Sequence, residues 1–115
     1  MSISFDERFD RLLAAMGDLA DLLSSYGEAH WADWVRRDME KIRRYQQHGL
    51  ESMLMAFGGM GSLTDVYIHP ANGHPIGPDQ IDQANQELAR LTSTVYSDAS
   101  ALRRELEQPR PPSAL

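Results

Sequence analysis

The beginning of the chain carries hydrophobic residues at alternating spacings of four and three, the pattern of an amphipathic helix. This spacing predicts a helix from about Ser4 to Ser25. Ser4 is a suitable N-cap, because Glu7 three residues later completes a capping box. Gly27 follows the last hydrophobic position and can adopt the left-handed conformation in which helices often end. The hydrophobic face consists of Phe5, Phe9, Leu12, Met16, Leu19, Leu23 and Tyr26.

A second helix is predicted from about Glu28 to Gln47, again with one hydrophobic face. Asp38 interrupts this face, because a helix turns about 100° per residue and Asp38 falls near the centre of the stripe. A buried carboxylate must be hydrogen-bonded or paired. We therefore expect Asp38 to accept backbone N–H groups from residues 58–62. The alternative is a pocket carboxylate with a perturbed pKa that acts as acid, base or ligand anchor. The face consists of Trp31, Trp34, Val35, Ile42 and Tyr45.

Two further helices follow from the same periodicity. A short one covers about His48 to Phe57, and a long one starts at Pro78 and Asp79, where proline is tolerated in the first turn. The long helix has a heptad-like stripe, which predicts packing along another helix at a shallow angle. Its stripe consists of Ile81, Ala84, Leu88, Leu91, Val95, Ala99, Leu102 and Leu106.

Residues 58–77 interrupt the helical pattern with glycines, prolines and turn dipeptides. A non-helical segment of this length inside a compact domain is usually functional, so we expect a site here. The predicted fold is all-α: a bundle of three to four helices with this Gly/Pro-rich insert. Residues 1–108 form a single helical domain, and residues 109–115 form a disordered, proline-rich tail.

The composition and net charge exclude some kinds of site and some classes of partner. The chain has 115 residues, no cysteine and a net charge of −6, which excludes disulfides and thiolate metal sites and argues against nucleic-acid binding. The N-terminus has no signal-peptide pattern and no apolar run reaches membrane-spanning length, so we expect a cytoplasmic protein without a membrane partner. Residues 29–49 are locally basic, which predicts complementary neighbouring helices or, alternatively, a docking stripe for an acidic partner. The bases are Arg36, Arg37, Lys41, Arg43 and Arg44.

The insert and the second helix supply the candidate binding residues. The glycine stretch lacks the lysine of a phosphate-binding loop, and Ser62 lacks the surroundings of a nucleophile elbow, so we predict no catalytic residue and no cofactor. The glycines are alternatively structural, letting the backbone pass close to a tryptophan. His69 and His74, with Asp65, are the candidate metal ligands. The binding candidates are His30, Trp31, Trp34, Asp38, Gly58, Gly59, Gly61, Ser62, Asp65 and Asn72.

Three stretches carry a family resemblance: Gly27 to Asp38, Ala56 to Asp65 and His69 to His74. With these residues the chain resembles a small bacterial domain family of unknown function that has an HWxxW…AFGGMGS…D pattern. The resemblance covers about Leu19 to Leu91. It implies a small bacterial cytoplasmic protein and supplies no activity or site residue.

The sequence leaves several functions open. The first hypothesis is a non-enzymatic protein–protein interaction module, in a concrete form an immunity or antitoxin-like protein that masks a basic toxin surface. The alternative is a small-ligand or metal-binding protein, including an enzyme, whose site forms where residues 58–77 lie over the second helix. Self-association into a homodimer is the third.

Overall fold

The computed structural model describes residues 3–58 and 61–107, and the fold over these residues is all-α. The predicted tail, residues 109–115, and Gly59 lie outside the described residues. The four described helices are α1, Phe5–Ser25; α2, Ala29–Arg43; α3, Gln47–Met55; and α4, Ile81–Glu107. Single 3₁₀ turns at Leu63–Asp65, Pro70–Asn72 and Pro78–Gln80 lie between α3 and α4. None of the described helices has the length and hydropathy needed to cross a membrane.

Helix α1 has the ends that its sequence predicts. The Ser4 Oγ accepts a hydrogen bond from the Glu7 backbone N–H at 3.1 Å, which satisfies one of the donors left free at a helix start. At the other end Gly27 has a φ of +83°. Only a residue without a Cβ adopts this conformation readily, so Gly27 reverses the chain into α2.

Helices α1 and α4 are the long antiparallel pair of the bundle, with α2 and α3 packed against them. The start of α1 and the end of α4 meet, as the shared pocket of Phe5 and Leu106 shows. The heptad-like stripe of α4 is buried from Ala84 to Leu102, so the predicted helix-on-helix packing occurs within the chain. The buried hydrophobic residues of all four helices and of the insert form one core.

An ion pair between a half-exposed arginine and a buried aspartate joins α1 to α4. The Asp98 carboxylate is 1% exposed and accepts two hydrogen bonds from Arg11, from Nε at 2.7 Å and from Nη2 at 2.6 Å. Arg8 lies 3.6 Å from the same carboxylate. This bidentate geometry supplies the partners that a buried carboxylate requires. Asp98 continues the three-four spacing of the α4 stripe between Val95 and Leu102, so the periodicity places it on the buried face but does not show that Arg11 pairs with it.

Helix α2 ends at Arg43, and the prediction that it continues to Gln47 is wrong. Tyr45 has a φ of 61° and is 81% exposed, so it lies outside the helix, although its ring still stacks on Phe9 of α1. Its left-handed backbone turns the chain so that α3 can fold back on α2. The predicted bounds of α3 are shifted by one residue at its start and two at its end, and α4 begins after a 3₁₀ turn at Pro78–Gln80.

The close contact between α2 and α3 depends on Gly49, which is buried. A Cβ at this position would lie 2.9 Å from the Lys41 Cβ and 3.0 Å from the Ile42 Cγ1. Both distances are shorter than normal carbon contacts, so only glycine lets the two helices approach this closely.

The basic run of α2 is partly matched by neighbouring acids. Arg36 pairs with Asp21 of α1 at 3.2 Å, while Arg43 and Arg44 both pair with Glu40 of their own helix. These contacts are exposed and contribute little to stability. Of these pairs, only Arg36–Asp21 joins two helices. The expectation that the basic run faces an acidic neighbouring helix is therefore supported only in part.

Candidate functional site

The insert between α3 and α4 is anchored to the bundle by its own apolar residues and by one amide side chain. Leu63 and Ile68 are buried at 1% and 0% exposure. Asn85 of α4 pairs with the Ile68 backbone on both sides, accepting from its N–H at 2.8 Å and donating to its carbonyl at 2.9 Å. These two bonds satisfy the peptide groups of Ile68 as a neighbouring strand would, and they fix the path of the chain.

The far end of the insert is fixed to the junction of α1 and α2. The His74 Nε2 lies 2.6 Å from the Glu28 Oε1, and the His74 Nδ1 accepts the backbone N–H of His69 at 3.0 Å. Because Nδ1 accepts, the neutral ring carries its proton on Nε2 and donates it to Glu28. Pro75 lies over Gly27, with its Cδ 3.8 Å from the position of a Cβ. The insert is therefore held at both ends.

Between these anchors an open groove of about 270 Å³ separates the insert from the start of α2. We call it the Trp31 groove. It brings together two carboxylates, two aromatic rings, an amide and an imidazole. The lining residues are Glu28, Trp31, Gly61, Ser62, Asp65, Val66, Tyr67, Asn72 and His74.

Local hydrogen bonds set the geometry of the groove wall. The Asp65 Oδ2 accepts the Gly61 N–H at 2.5 Å, and the Asn72 Nδ2 donates to the Tyr67 carbonyl at 2.9 Å. The Tyr67 ring is 49% exposed and stacks on His69 with centroids 6.0 Å apart. A carboxylate has about four acceptor positions, so Asp65 and Glu28 both retain capacity for a donor from outside.

The structure brings six of the predicted site residues together in the Trp31 groove and places the others elsewhere. Trp31, Gly61, Ser62, Asp65, Asn72 and His74 line the groove. Trp34 faces α3 instead, where its Nε1 donates to the Ser52 carbonyl at 3.2 Å. His30 is exposed, packs edge-on to Trp31 at 4.8 Å and lines a separate surface depression. Gly58 and His69 flank the groove without lining it.

Asp38 is buried, as its place on the hydrophobic face predicts, but it does not face the insert. It is 2% exposed, and its Oδ2 has no hydrogen-bond partner among the described residues. Burial raises the pKa of the Asp38 carboxyl, and the Ser52 hydroxyl of α3 counters this rise only in part, with smaller contributions from Lys41, Arg37 and Trp34.

Asp38 does not accept the hydrogen bonds expected from the glycine stretch, because in the described part of the chain two of these N–H groups bind other acceptors. The Gly61 N–H is taken by Asp65, and the Gly58 N–H by the Met55 carbonyl at 3.1 Å. Sequence periodicity correctly places Asp38 inside the bundle. It does not show which of two neighbouring elements would cover the carboxylate.

Neither Gly58 nor Gly61 is required for close approach to a tryptophan, and of these two only Gly61 has a backbone conformation that favours glycine. A Cβ on Gly61 would meet no described atom within 4 Å, yet its φ is +77°. A Cβ on Gly58 would meet only the Met55 carbonyl, at an ordinary 3.5 Å. The prediction that these glycines let the backbone pass close to a tryptophan is therefore wrong for Gly58 and Gly61. Glycine suits position 61 for another reason, the left-handed conformation of its backbone.

The predicted metal ligands are engaged elsewhere. No group of three or more ligating side chains comes together within residues 3–58 and 61–107. His69 uses its Nδ1 to accept the Ala71 N–H at 2.9 Å, and His74 uses both ring nitrogens as described above. The set of Asp65, His69 and His74 does not assemble a metal site in the described chain.

Three residues that matter here were not singled out by sequence reasoning: Glu28, Tyr67 and Asn85. The signal for Tyr67 was its place as an aromatic residue in the short β-like run Val66-Tyr67-Ile68 beside the turn residues. Glu28 could be recognised only as the acid next to the helix-ending Gly27. Asn85 lies four residues after Ile81 and three before Leu88, so helical spacing places it at the edge of the hydrophobic stripe but does not show what it binds.

The fold and the groove define a small all-α domain with an acidic, aromatic surface groove. A family described as a domain of unknown function (DUF6966) matches residues 24–77, a range that contains every lining residue of the Trp31 groove. This match fits the resemblance to an uncharacterised family. Comparison with curated proteins and with solved structures finds no match.

Proposed function

We propose that the protein is a protein–protein interaction module and that the Trp31 groove binds a basic side chain of its partner. The observation that supports this is the composition of the groove, in which the carboxylates of Glu28 and Asp65 share one surface with the rings of Trp31 and Tyr67. Carboxylates attract a guanidinium or ammonium group, and aromatic faces hold the same cation by cation–π contact. The net charge of −6 favours the same class of partner.

The size of the groove favours a protein partner over a small ligand. Small-molecule sites commonly have roughly 300–1,000 Å³ and enclose most of the ligand, whereas this groove is open and has about 270 Å³. One exposed cation–π contact contributes about 0.5–1 kcal/mol, and one exposed ion pair about 0.2–1 kcal/mol. These amounts orient a partner side chain but do not reach the roughly 4 kcal/mol of millimolar binding. The remaining affinity then comes from a wider interface.

A concrete form of this function is an immunity or antitoxin-like protein of the bacterial cytoplasm that masks the basic surface of a toxin. An acidic surface that meets a basic one speeds association and suppresses wrong partners. We therefore expect binding to weaken as salt rises, because exposed charges are screened over about 8 Å at physiological ionic strength.

The groove itself is tested by NMR titration with N-acetyl-arginine amide, using N-acetyl-citrulline amide as the neutral isostere. We expect amide shifts confined to the groove residues, larger for arginine than for citrulline and reduced by added salt. The Tyr67→Ala variant should lose them. Tyr96→Ala is the matched control, because Tyr96 is 51% exposed on α4 and Tyr67 is 49% exposed. Equal shifts with citrulline, or shifts scattered over the surface, contradict the proposal.

The partner is tested by co-expression with the products of neighbouring genes in the native host. An immunity role requires rescue from a toxic neighbour, with rescue weakened by Tyr67→Ala and kept by Tyr96→Ala. A small cationic ligand is the second candidate for the same groove. Saturable binding of a free cation at micromolar concentration, with no protein captured, would favour that candidate.

A further inference from the structure

Asn72 and Gly73 lie on an exposed turn of the insert, beside the Trp31 groove. Residues 70–73 are all exposed, and the Asn72 side chain lines the groove. Gly73 follows the 3₁₀ turn with a φ of +84°. A Cβ at Gly73 would meet no described atom within 4 Å, so the space around this residue is open. Both residues are therefore accessible to solvent.

An asparagine followed by a glycine has a covalent reaction of its own. The backbone nitrogen of the glycine attacks the carbon of the side-chain amide, and a succinimide ring forms. Glycine favours this attack because it has no Cβ to obstruct the approach and because its backbone rotates freely. The reaction uses no enzyme and no cofactor, so the sequence and the local conformation decide where it occurs.

Only a few exposed hydrogen bonds hold Asn72 in its present geometry. Its Nδ2 donates to the Tyr67 carbonyl at 2.9 Å. Its backbone N–H donates to the His69 carbonyl at 2.9 Å, and the Gly73 N–H donates to the Pro70 carbonyl at 3.0 Å. The last bond must break before the Gly73 nitrogen can attack. It closes a single turn of three residues, and short exposed elements of this kind open locally at little cost in free energy.

The chain has one other asparagine, Asn85, and its surroundings oppose the same reaction. It lies inside α4 and is followed by Gln86, which has a Cβ. Its side chain accepts the Ile68 N–H at 2.8 Å and donates to the carbonyls of Ile68 and Ile81, each at 2.9 Å. Asn85 is therefore an internal control for Asn72.

We infer that Asn72 is a site of spontaneous deamidation. The Gly73 nitrogen loses its proton and forms a bond to the Asn72 Cγ, the Cγ–Nδ2 bond breaks, and Nδ2 leaves as ammonia. A water molecule then opens the succinimide ring at one of its two carbonyl groups. Opening at the side-chain carbonyl leaves aspartate at position 72, and opening at the backbone carbonyl leaves isoaspartate.

Deamidation changes the Trp31 groove in two ways. It adds a carboxylate beside those of Glu28 and Asp65, and it removes the amide that donates to the Tyr67 carbonyl. An ionised carboxylate only accepts hydrogen bonds, so it is repelled by the carbonyl oxygen. The modified side chain therefore leaves Tyr67, and the groove becomes more acidic. This inference concerns the chain's own chemistry and holds whatever the groove binds.

Peptide mapping by mass spectrometry tests the inference after incubation of the full-length folded protein in neutral and in mildly alkaline buffer. We expect progressive loss of the amide at Asn72, with Asn85 intact. The loss should be faster in alkaline buffer, because the Gly73 nitrogen must give up its proton. Isoaspartate should appear together with aspartate, since only the succinimide route yields both. Asn72→Gln should abolish the conversion, because a larger ring closes much more slowly. Protein mapped without incubation is the blank.

Incubation of the unfolded chain in urea gives the reference rate for the same dipeptide. An intact Asn72 in the folded protein, with conversion only in urea, overturns the inference, because the turn would then protect the residue. Equal conversion at Asn72 and Asn85 overturns it as well. The change in the groove is tested with Asn72→Asp, which should shift the backbone amide signals of residues 67 and 68. Unchanged signals there would contradict the release of Tyr67.

Discussion

The His74 Nε2 and the Glu28 Oε1 lie 2.6 Å apart, although their residues are 46 positions apart in the chain. The contact joins the end of the insert to the start of α2, and the side chains are 4% and 26% exposed. Because the same imidazole also accepts the His69 N–H, it acts as a two-ended link. The Trp31 groove exists because this link and Asn85 hold the insert beside the bundle.

The tautomer of His74 is the first prediction. Its Nδ1 accepts a backbone N–H, so we expect the neutral ring to be protonated at Nε2 alone. Long-range ¹H–¹⁵N correlation spectra distinguish the two nitrogens directly. His48, exposed on α3, is the internal comparison and should show a mixture of tautomers. A proton on Nδ1 of His74 would contradict the geometry of the link.

The second prediction concerns Asn85. Asn85→Ala removes the side-chain amide that binds both the N–H and the carbonyl of Ile68. Each buried polar group left without a partner costs about 1–3 kcal/mol. We expect a loss of stability of at least this size in urea unfolding. The Ile68 amide should also exchange with solvent much faster than in the wild type. Gln86→Ala, one position along on the exposed face of α4, should change the free energy of unfolding by less than about 0.5 kcal/mol. Equal stabilities of the two variants would refute the anchoring role.

The third prediction is a pH dependence caused by Asp38. Burial raises its folded-state pKa above the ordinary value of 3.8, so the unfolded chain releases this proton first as pH rises. The protonated carboxyl contributes its full stabilisation below pH 3.8. This contribution is lost as pH rises through the folded-state pKa. Each unit of difference between the two pKa values corresponds to about 1.4 kcal/mol.

Asp38→Asn should remove this dependence, because the amide stays neutral at every pH. The free energy of unfolding of the variant relative to wild type should therefore increase from pH 3.5 to pH 7, as urea titrations at several pH values would show. Asp33→Asn on the exposed side of the same helix should give a nearly flat difference. A flat difference for Asp38→Asn as well would show that the carboxyl is solvated.

The fourth prediction contrasts two helical glycines. Gly49→Ala places a Cβ at 2.9 Å from the Lys41 Cβ, and overpacking of this kind costs about 1–3 kcal/mol. Replacing glycine by alanine also improves helix propensity by about 1 kcal/mol, which is smaller than the upper part of the overpacking cost. We expect a net destabilisation and a lower melting temperature. At Gly17 the nearest atom would be the Met39 Sδ at 3.8 Å, so Gly17→Ala should stabilise the protein. Stabilisation by both substitutions would mean that α2 and α3 separate without cost.

Amino-acid sequence by itself determined the helices, because hydrophobic periodicity and end signals such as Ser4 and Gly27 are local properties. It also determined that Asp38 is inside the bundle, since helical geometry fixes the face of a residue. The helix boundary near Tyr45 was missed, because a left-handed tyrosine is unfavourable locally and occurs where α3 must pack back on α2.

Tertiary structure alone decided the site. The pairing of His74 with Glu28 and the placement of Ser52 against Asp38 depend on contacts between distant segments, and side-chain spacing along one element carries no information about them. The same holds for Asp98, whose burial is tolerated only because Arg11 on another helix supplies both hydrogen bonds. Local periodicity fixes which face of a helix is buried, whereas three-dimensional packing chooses the partner that meets it.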